Sequence, residues 1–333
     1  MKILLYAGSL KLVEKSGVGQ AIFHQKQALE SVGIPVTFDQ SEEFDAVHIN
    51  TIFPNSFRMS KRCRHRGKKV IYYAHSTKED FKNSFRGSNL IAPLFKWWIK
   101  HCYKTADVLI TPTEYSKRLL ESYGIRKKIY PLSNGMDLSN YKRSAPAGCR
   151  FREKYGFTPE DKIIISVGHY MNRKGIRDFV QLAKELPQYQ FIWFGYTPPS
   201  ARTRDVSKAL KTELPNLHFP GLATQEELKE AYSGSDLFLF LTHEETEGIV
   251  LLEALAMRLP VLIRDIPIYK NWFQDGKNAY KAATIFGFKE KIQGILSGEL
   301  PSTVEKGYET VSERDIHIVG QRLKEIYSDL NLL

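Results

Sequence analysis

Short apolar runs alternate with amphipathic helical segments along the whole chain, which predicts an α/β protein of two doubly wound domains facing one another across a cleft. Three observations carry this expectation. The 333 residues suffice for two domains of about 100 to 200 residues each. The strand candidates are continuous apolar runs, the pattern of strands covered on both faces. Finally, the alternation begins afresh after a polar, Ser- and Pro-containing stretch at 138–150. With 42% hydrophobic and 26% charged residues, the composition excludes disordered, collagenous and small disulfide-framed classes.

In the first half, strands are expected at 2–6, 46–49, 69–73, 108–112 and 128–131, with helices at 18–32 and 116–123, the latter capped by Gly124. Residues 138–150 read as a connector. Strands then follow at 163–167, 190–194, 217–219, 237–241 and 261–263, with helices at 176–186, 225–233, 249–257 and 288–297. The expected domains are 1–142 and 150–314. Periodicity marks a last helix near 315–330 and leaves open whether the 315–333 segment returns to the first domain. The amino-terminal run 1–8 is too short for a signal sequence and lacks a cleavage site, so it reads as a buried strand. No stretch approaches the ~18 to 20 apolar residues of a membrane span. Cys63, Cys102 and Cys149 match no zinc or disulfide spacing and are expected as reduced thiols. A cytoplasmic protein, with at most peripheral membrane contact, is the resulting expectation.

Charge is unevenly placed. Residues 1–150 hold 25 Lys and Arg against 12 Asp and Glu, a net of +13, whereas 151–333 hold 23 against 25, a net of −2. A basic first half points to a polyanionic partner, either nucleic acid or an anionic membrane face. Arg58, Lys61, Arg62, Arg64, Arg66, Lys68 and Lys69 form a run without an acid. In the segment 90–104, Lys96, Lys100 and Lys104 share one sector of a helix. Ile91, Leu94, Phe95, Trp98, Ile99 and Cys102 lie opposite, with Trp97 and Tyr103 at the borders. Lysines on one face and aromatics at the boundary describe an interfacial helix; a helix packing its apolar face on its own domain gives the same pattern.

Ligands of parallel α/β sheets sit beyond the carboxyl ends of the strands. Ser16-Gly17-Val18-Gly19 precedes the first helix, where backbone N–H groups can meet an anion. A dinucleotide reading fails, because Ile22 stands where the third glycine of that fingerprint belongs. Arg173-Lys174-Gly175 follows the strand ending at Gly168-His169 and offers two cations before a helix start, suited to a diphosphate leaving group. Glu245 and Glu253 are eight residues apart across the helix start Gly248-Ile249-Val250. That spacing lets both carboxylates face one molecule whose phosphate meets the helix amides.

With these motifs in this order, the chain resembles the retaining nucleotide-sugar glycosyltransferases of family 4, which have the GT-B fold of two Rossmann-like domains. Glu245 to Glu253 matches the family's paired-Glu signature, Arg173-Lys174-Gly175 its basic diphosphate motif, and Ser16-Gly17-Val18-Gly19 its glycine loop. Asn134-Gly135-Met136-Asp137 matches an element before the interdomain connector, and His75 a histidine near the reacting sugar. The resemblance implies catalytic roles for His75, Lys174 and Glu245. It implies donor binding by Gly17, Arg173, Lys174, Gly248, Ile249, Val250 and Glu253, and a UDP-sugar donor with no metal or other cofactor. Gly168-His169 departs from the family's common Gly-Arg, leaving one diphosphate cation missing or supplied by Arg173.

Within the family, the short length and basic first domain are similar to bacterial enzymes that add a second hexose, glucose or galactose, to monoglucosyldiacylglycerol. This resemblance implies a glycolipid acceptor and an anionic membrane surface as partners, at the inner face of the cell membrane. Arg58, Lys61, Arg62, Arg64, Arg66, Lys96, Trp97, Trp98 and Lys100 are then the expected membrane contacts. Nucleic acid would suit the same charge without explaining the sugar-donor motifs. The alternatives are a cytosolic family 4 enzyme of cell-wall or capsular polysaccharide synthesis and an inactive membrane-bound scaffold.

Overall fold

A computed structural model describes residues 1–9 and 16–332. The first sheet contains β1 (Ile3–Tyr6), β2 (Val36–Thr37), β3 (Ala46–Ile49), β4 (Lys69–Tyr73), β5 (Val108–Thr111) and β6 (Lys128–Pro131), in the order β2-β1-β3-β4-β5-β6. A second holds β7 (Ile163–Val167), β8 (Gln190–Phe194), β9 (Leu217–Gly221), β10 (Leu237–Phe240), β11 (Val261–Arg264) and β12 (Tyr280–Ala282), in the order β12-β11-β10-β7-β8-β9. Neighbouring strands are parallel throughout. Crossovers between parallel strands put helices on both faces. Every residue of β3, β5, β7, β10 and β11 is accordingly buried.

The helices are α1 (Gly17–Ser31), α2 (Pro54–His65), α3 (Lys78–Phe81), α4 (Ser88–Tyr103), α5 (Glu114–Ser122), α6 (Ala145–Tyr155), α7 (Ile176–Glu185), α8 (Arg204–Leu210), α9 (Gln225–Gly234), α10 (Ile249–Ala256), α11 (Ile285–Ser297), α12 (Val304–Ser312) and α13 (Ile316–Asp329). This is the expected pair of doubly wound units. Strand order reverses between β1 and β3 in one sheet and between β7 and β10 in the other, and the crevices at such reversals are where ligands bind.

Two local expectations are corrected. Helix α6 starts inside the stretch read as connector, because Ser144 Oγ accepts from Ala147 N and Pro146 fits a first helical turn. The edge strands β2 and β12, only two and three residues long, carry too little pattern to be read from sequence.

The last helix returns to the first domain. Ile316, Val319, Leu323, Ile326 and Tyr327 are buried with Ile3, Leu5, Leu29 and Ile71. Gly320 permits the close crossing with α1, since a Cβ there would lie 2.2 Å from Ala28 O. Chain passes between the domains at two adjacent places: Met136 N donates to Arg314 O (2.9 Å) and Ile316 N to Met136 O (3.0 Å). Leu333 lies outside the described residues.

Candidate active site

Between the sheets lies a cleft of about 580 Å³ at both strand-order reversals. It brings together Gly17, His75, Arg173, Lys174, Glu245, Gly248, Ile249, Val250 and Glu253, every residue proposed from sequence for donor binding or chemistry. Gly17 starts α1 after β1, Arg173 and Lys174 follow β7, and Glu245 follows β10. Gly248 begins α10 at φ +93°, where a Cβ would meet Tyr269 Oη at 2.7 Å. Its backbone therefore takes a left-handed turn into α10 that another residue would strain, and residues 248–250 line the hollow.

The basic motif divides its labour. Lys174 Nζ is ion-paired with Glu245 Oε2. Burial pushes the Glu245 carboxyl up, but Lys174 and then Arg173 outweigh it and hold the group below the usual carboxylate range. Arg173 is only 9% exposed and committed to the seam between domains. Its Nη1 contacts Asp80 Oδ1 at 2.8 Å and donates to Glu244 O (2.7 Å), its Nε donates to Ser84 Oγ (3.0 Å), and Asn83 O accepts from its main-chain N (3.2 Å). Arg173 thus serves the joint between the domains while also lining the cleft. Its Nε and Nη1 are engaged by hydroxyl, carboxylate and carbonyl partners, two of the three from the first domain.

Three further buried groups shape the site. Glu253 accepts from Tyr232 (2.9 Å) and Tyr141 (3.2 Å), and burial pushes its carboxyl up to about 7. Glu247, unmarked in the sequence, takes hydrogen bonds from Ser133 Oγ and from the Asn134 main chain (3.2 Å) and side chain, across the seam. Burial raises its carboxyl as well. His75 stacks on Tyr73 (4.6 Å between centroids), which stacks on His48 (5.6 Å). Asn50 Oδ1 accepts from His75 Nε2 at 3.0 Å, leaving Nδ1 as the ring acceptor. Burial lowers His75 to about 3, so the imidazole is neutral and suited to orienting a hydroxyl. Asp80, Asn50 and Glu247 escape a sequence reading because their partners lie in distant segments. Among the described residues, no group of three His, Cys, Asp or Glu is placed to hold a metal ion.

The basic and aromatic set lies apart from the cleft floor. Arg58, Lys61, Arg62, Arg64 and Arg66 are exposed on α2 and its cap. Helix α4 packs beside it, with Trp98 against Phe57 at 5.5 Å. The buried face of α4 is Ser88, Ala92, Ile99, Cys102 and Tyr103. Leu90 (87%), Leu94 (64%), Trp97 (54%) and Ile91 (45%) are exposed instead. The apolar side drawn opposite the lysines is therefore split, with Ile99 and Cys102 inward and Ile91 and Leu94 outward. Trp98 Nε1 donates to Ile52 O (2.7 Å) and Tyr103 Oη to Ser76 O (3.0 Å), anchors that turn the 90-91-94-97 stripe outward. Trp98 is half-buried there and is not a free surface group, correcting its assignment to membrane contact. Lys96 lies over the Tyr123 ring (4.3 Å), with Lys100 half-buried one turn on. No helix among the described residues is long and apolar enough to cross a membrane.

Comparison with known proteins agrees with this architecture. Residues 29–140 match the family described as Glycosyltransferase Family 4, and residues 150–309 match Glycosyl transferases group 1. The chain is 38% identical to a processive diacylglycerol alpha-glucosyltransferase of Acholeplasma laidlawii, over 99% of this chain and 98% of that protein. It is 29% identical to an alpha-galactosylglucosyldiacylglycerol synthase of Streptococcus pneumoniae, over 90% and 77%. Among solved structures, Anabaena Alr3699/HepE in complex with UDP and glucose has a TM-score of 0.76 at 15% identity, covering 98% of this chain and 99% of that one. Sucrose-phosphate synthase of Thermosynechococcus elongatus gives 0.81 at 15% identity, covering 99% of each chain. These two likenesses speak for the fold, while near-complete alignment at 38% identity speaks for descent: the chain belongs to the family 4 glycosyltransferases, with their GT-B fold.

Proposed function

We propose that the protein transfers a hexose from a UDP-sugar to a glycolipid at a membrane surface, with retention of configuration. The acceptor in this reading is monoglucosyldiacylglycerol, and the product is a diglycosyldiacylglycerol. The observation that carries it is the outward stripe of α4. Leu90, Ile91, Leu94 and Trp97 follow closely on Asn83 and Ser84, whose atoms touch Arg173 at the cleft. An apolar stripe that follows in sequence on residues in contact with the sugar-donor cleft, on a helix packed beside the α2 bases, suits an acceptor whose head must enter while its acyl chains stay in a bilayer. Burying each leucine contributes about 1.5–3 kcal/mol, and each base near an anionic surface about 1 kcal/mol. That is ample for peripheral attachment, which we place at the cytoplasmic face. The names of both curated relatives, each concerned with diacylglycerol glycosides, support the acceptor class, and the 38% likeness to a glucosyltransferase favours glucose.

In the transfer, the bond from the anomeric carbon to the diphosphate oxygen breaks as one to the acceptor oxygen forms on the same face. The acceptor proton passes to the departing phosphate oxygen. Lys174 and the amides at the start of α10 oppose the leaving charge, Glu245 fixes Lys174 and faces the sugar, and Glu253 holds the nucleoside end. Neutral His75 orients a hydroxyl. The test supplies UDP-glucose or UDP-galactose and monoglucosyldiacylglycerol in mixed micelles, with and without an anionic lipid. Formation of diglycosyldiacylglycerol, increased by the anionic lipid, is expected. Transfer to soluble saccharides alone would refute the lipid acceptor, and no transfer or donor hydrolysis at all would refute the enzyme.

A further inference from the structure

A diphosphate brings about two negative charges into a cleft whose two fixed cations are already matched. Arg173 faces Asp80, and Lys174 faces Glu245. The start of α10 supplies about half a positive charge through its amides, which leaves the bound donor under-compensated. A proton would make up the difference if a basic group stood ready on the wall.

His169 stands there. It follows β7, lines the cleft and is electrostatically coupled to Lys174. Its Nδ1 lies 2.7 Å from Tyr196 O, so that nitrogen carries hydrogen and donates. Nε2 has no hydrogen-bond partner among the described residues. The two loops that hold the ring touch: a Cβ on Gly195 would lie 1.9 Å from Gly168 O, and Trp193 Nε1 donates to that same oxygen at 2.8 Å. The imidazole is thus gripped at one nitrogen, with the other left for a ligand. Its surroundings are charged on every side. Lys174 and Arg173 come from its own loop, Arg202 lies over the Tyr196 ring (5.6 Å), Glu244 and Glu245 follow β10, Asp80 belongs to α3, Glu227 to α9 and Glu253 to α10.

We propose that His169 is a ligand of the donor diphosphate and binds a proton together with it, imidazole in the empty cleft and imidazolium against the phosphate oxygens. The inference rests on the UDP-sugar reading above. In the free protein the side chain is exposed at the cleft wall, yet crowding by that wall, then Lys174 and Arg173, hold the ring below the ordinary imidazole range against the opposing hydrogen bond to Tyr196 O. A dianion beside Nε2 reverses the sign of that field. Where the family commonly carries a permanent arginine charge, this chain carries one conditional on pH. Donor affinity is therefore greatest in acid and weakens as pH rises through the window between the free and bound values.

UDP-glucose is the probe, because its diphosphate diester does not titrate near neutrality. Calorimetry of the full chain from pH 5.5 to 8.5, in buffers of different ionisation enthalpy, counts the protons taken up. Wild type is expected to take up a fraction of a proton approaching one, with affinity falling by up to about tenfold per pH unit. Glu253 and Glu244, both near 7, titrate in the same range, so the decisive quantity is the difference between proteins. His169→Arg should abolish the His169 share of uptake and keep wild-type affinity or better at pH 8. His169→Gln should abolish it too and bind at pH 6 as weakly as wild type does at pH 8. Equal proton uptake and parallel pH slopes in wild type and both variants would overturn the proposal. Failure of wild type to bind UDP-glucose at any pH would instead sink the donor reading, and this inference with it.

Discussion

Lys174→Ala separates catalysis from stability in one experiment. The ammonium is 13% exposed and paired with Glu245, itself 10% exposed. Removing a preorganised cation at a developing charge costs about 2.7–4 kcal/mol, or ~10²–10³ in kcat. The same change leaves a buried carboxylate with Arg173 at 3.7 Å, Thr242 Oγ1 at 3.5 Å and the Thr246 backbone N–H. Breaking a buried pair from one side costs about 3–5 kcal/mol. At about 2–4 °C per kcal/mol for a domain of this size, Tm should drop by roughly 6–20 °C at pH 8. Without Lys174, the Glu245 carboxyl rises above its unfolded value, and the folded state then binds the extra proton. The deficit should accordingly shrink as pH falls toward about 4.5. Lys174→Ala combined with Glu245→Gln should recover most of the stability and none of the turnover. Initial rates with UDP-glucose and thermal unfolding at pH 5 and pH 8 give both readings. Turnover within about threefold of wild type in the single variant would refute the diphosphate role of Lys174.

Glu253, near 7 when folded and about 4.3 when unfolded, retains a proton that unfolding releases. Stability of the empty protein should therefore fall between about pH 4.5 and 7, by at most ~1.4 kcal/mol per unit; Glu253→Gln should flatten this part of the Tm profile, and an unchanged profile would count against it. Leu90→Glu with Leu94→Glu should lower partition onto anionic vesicles by about 100-fold or more, measured by flotation, with unaltered Tm because both side chains are exposed. Glu247→Ala removes the acceptor for Ser133 and Asn134. It should cost about 2–4 kcal/mol and loosen hydrogen-exchange protection around 133–136, whereas full protection there would show the seam is held otherwise.

Much of the fold could be read because interior parallel strands are continuous apolar runs: β3, β4, β7 and β8 have the bounds expected from sequence, as does the edge strand β6. The edge strands β2 and β12 could not, being too short to show a period, and the Ser144 cap was hidden in a stretch whose composition also suits a connector. The cleft residues were accessible because Lys174, Glu245 and Glu253 are chemically unusual where loops meet helix starts. Arg173 and α4 show the limits. Its guanidinium is claimed by Asp80 and Ser84, about ninety positions away and invisible to local spacing. For α4, periodicity says which residues share a side, but a helix with apolar groups on two sides does not reveal which one the core takes. Tyr103 and Trp98 decide that through hydrogen bonds made only in three dimensions.

Return of α13 to the first domain gives the molecule a pivot made of two chain crossings laid side by side, joined at Met136 and Asp315. Paired straps resist twisting while allowing a bend about one axis. A bend about that axis keeps the two halves from slipping sideways, so that Asp80 stays aligned with Arg173 and Ser133 with Glu247.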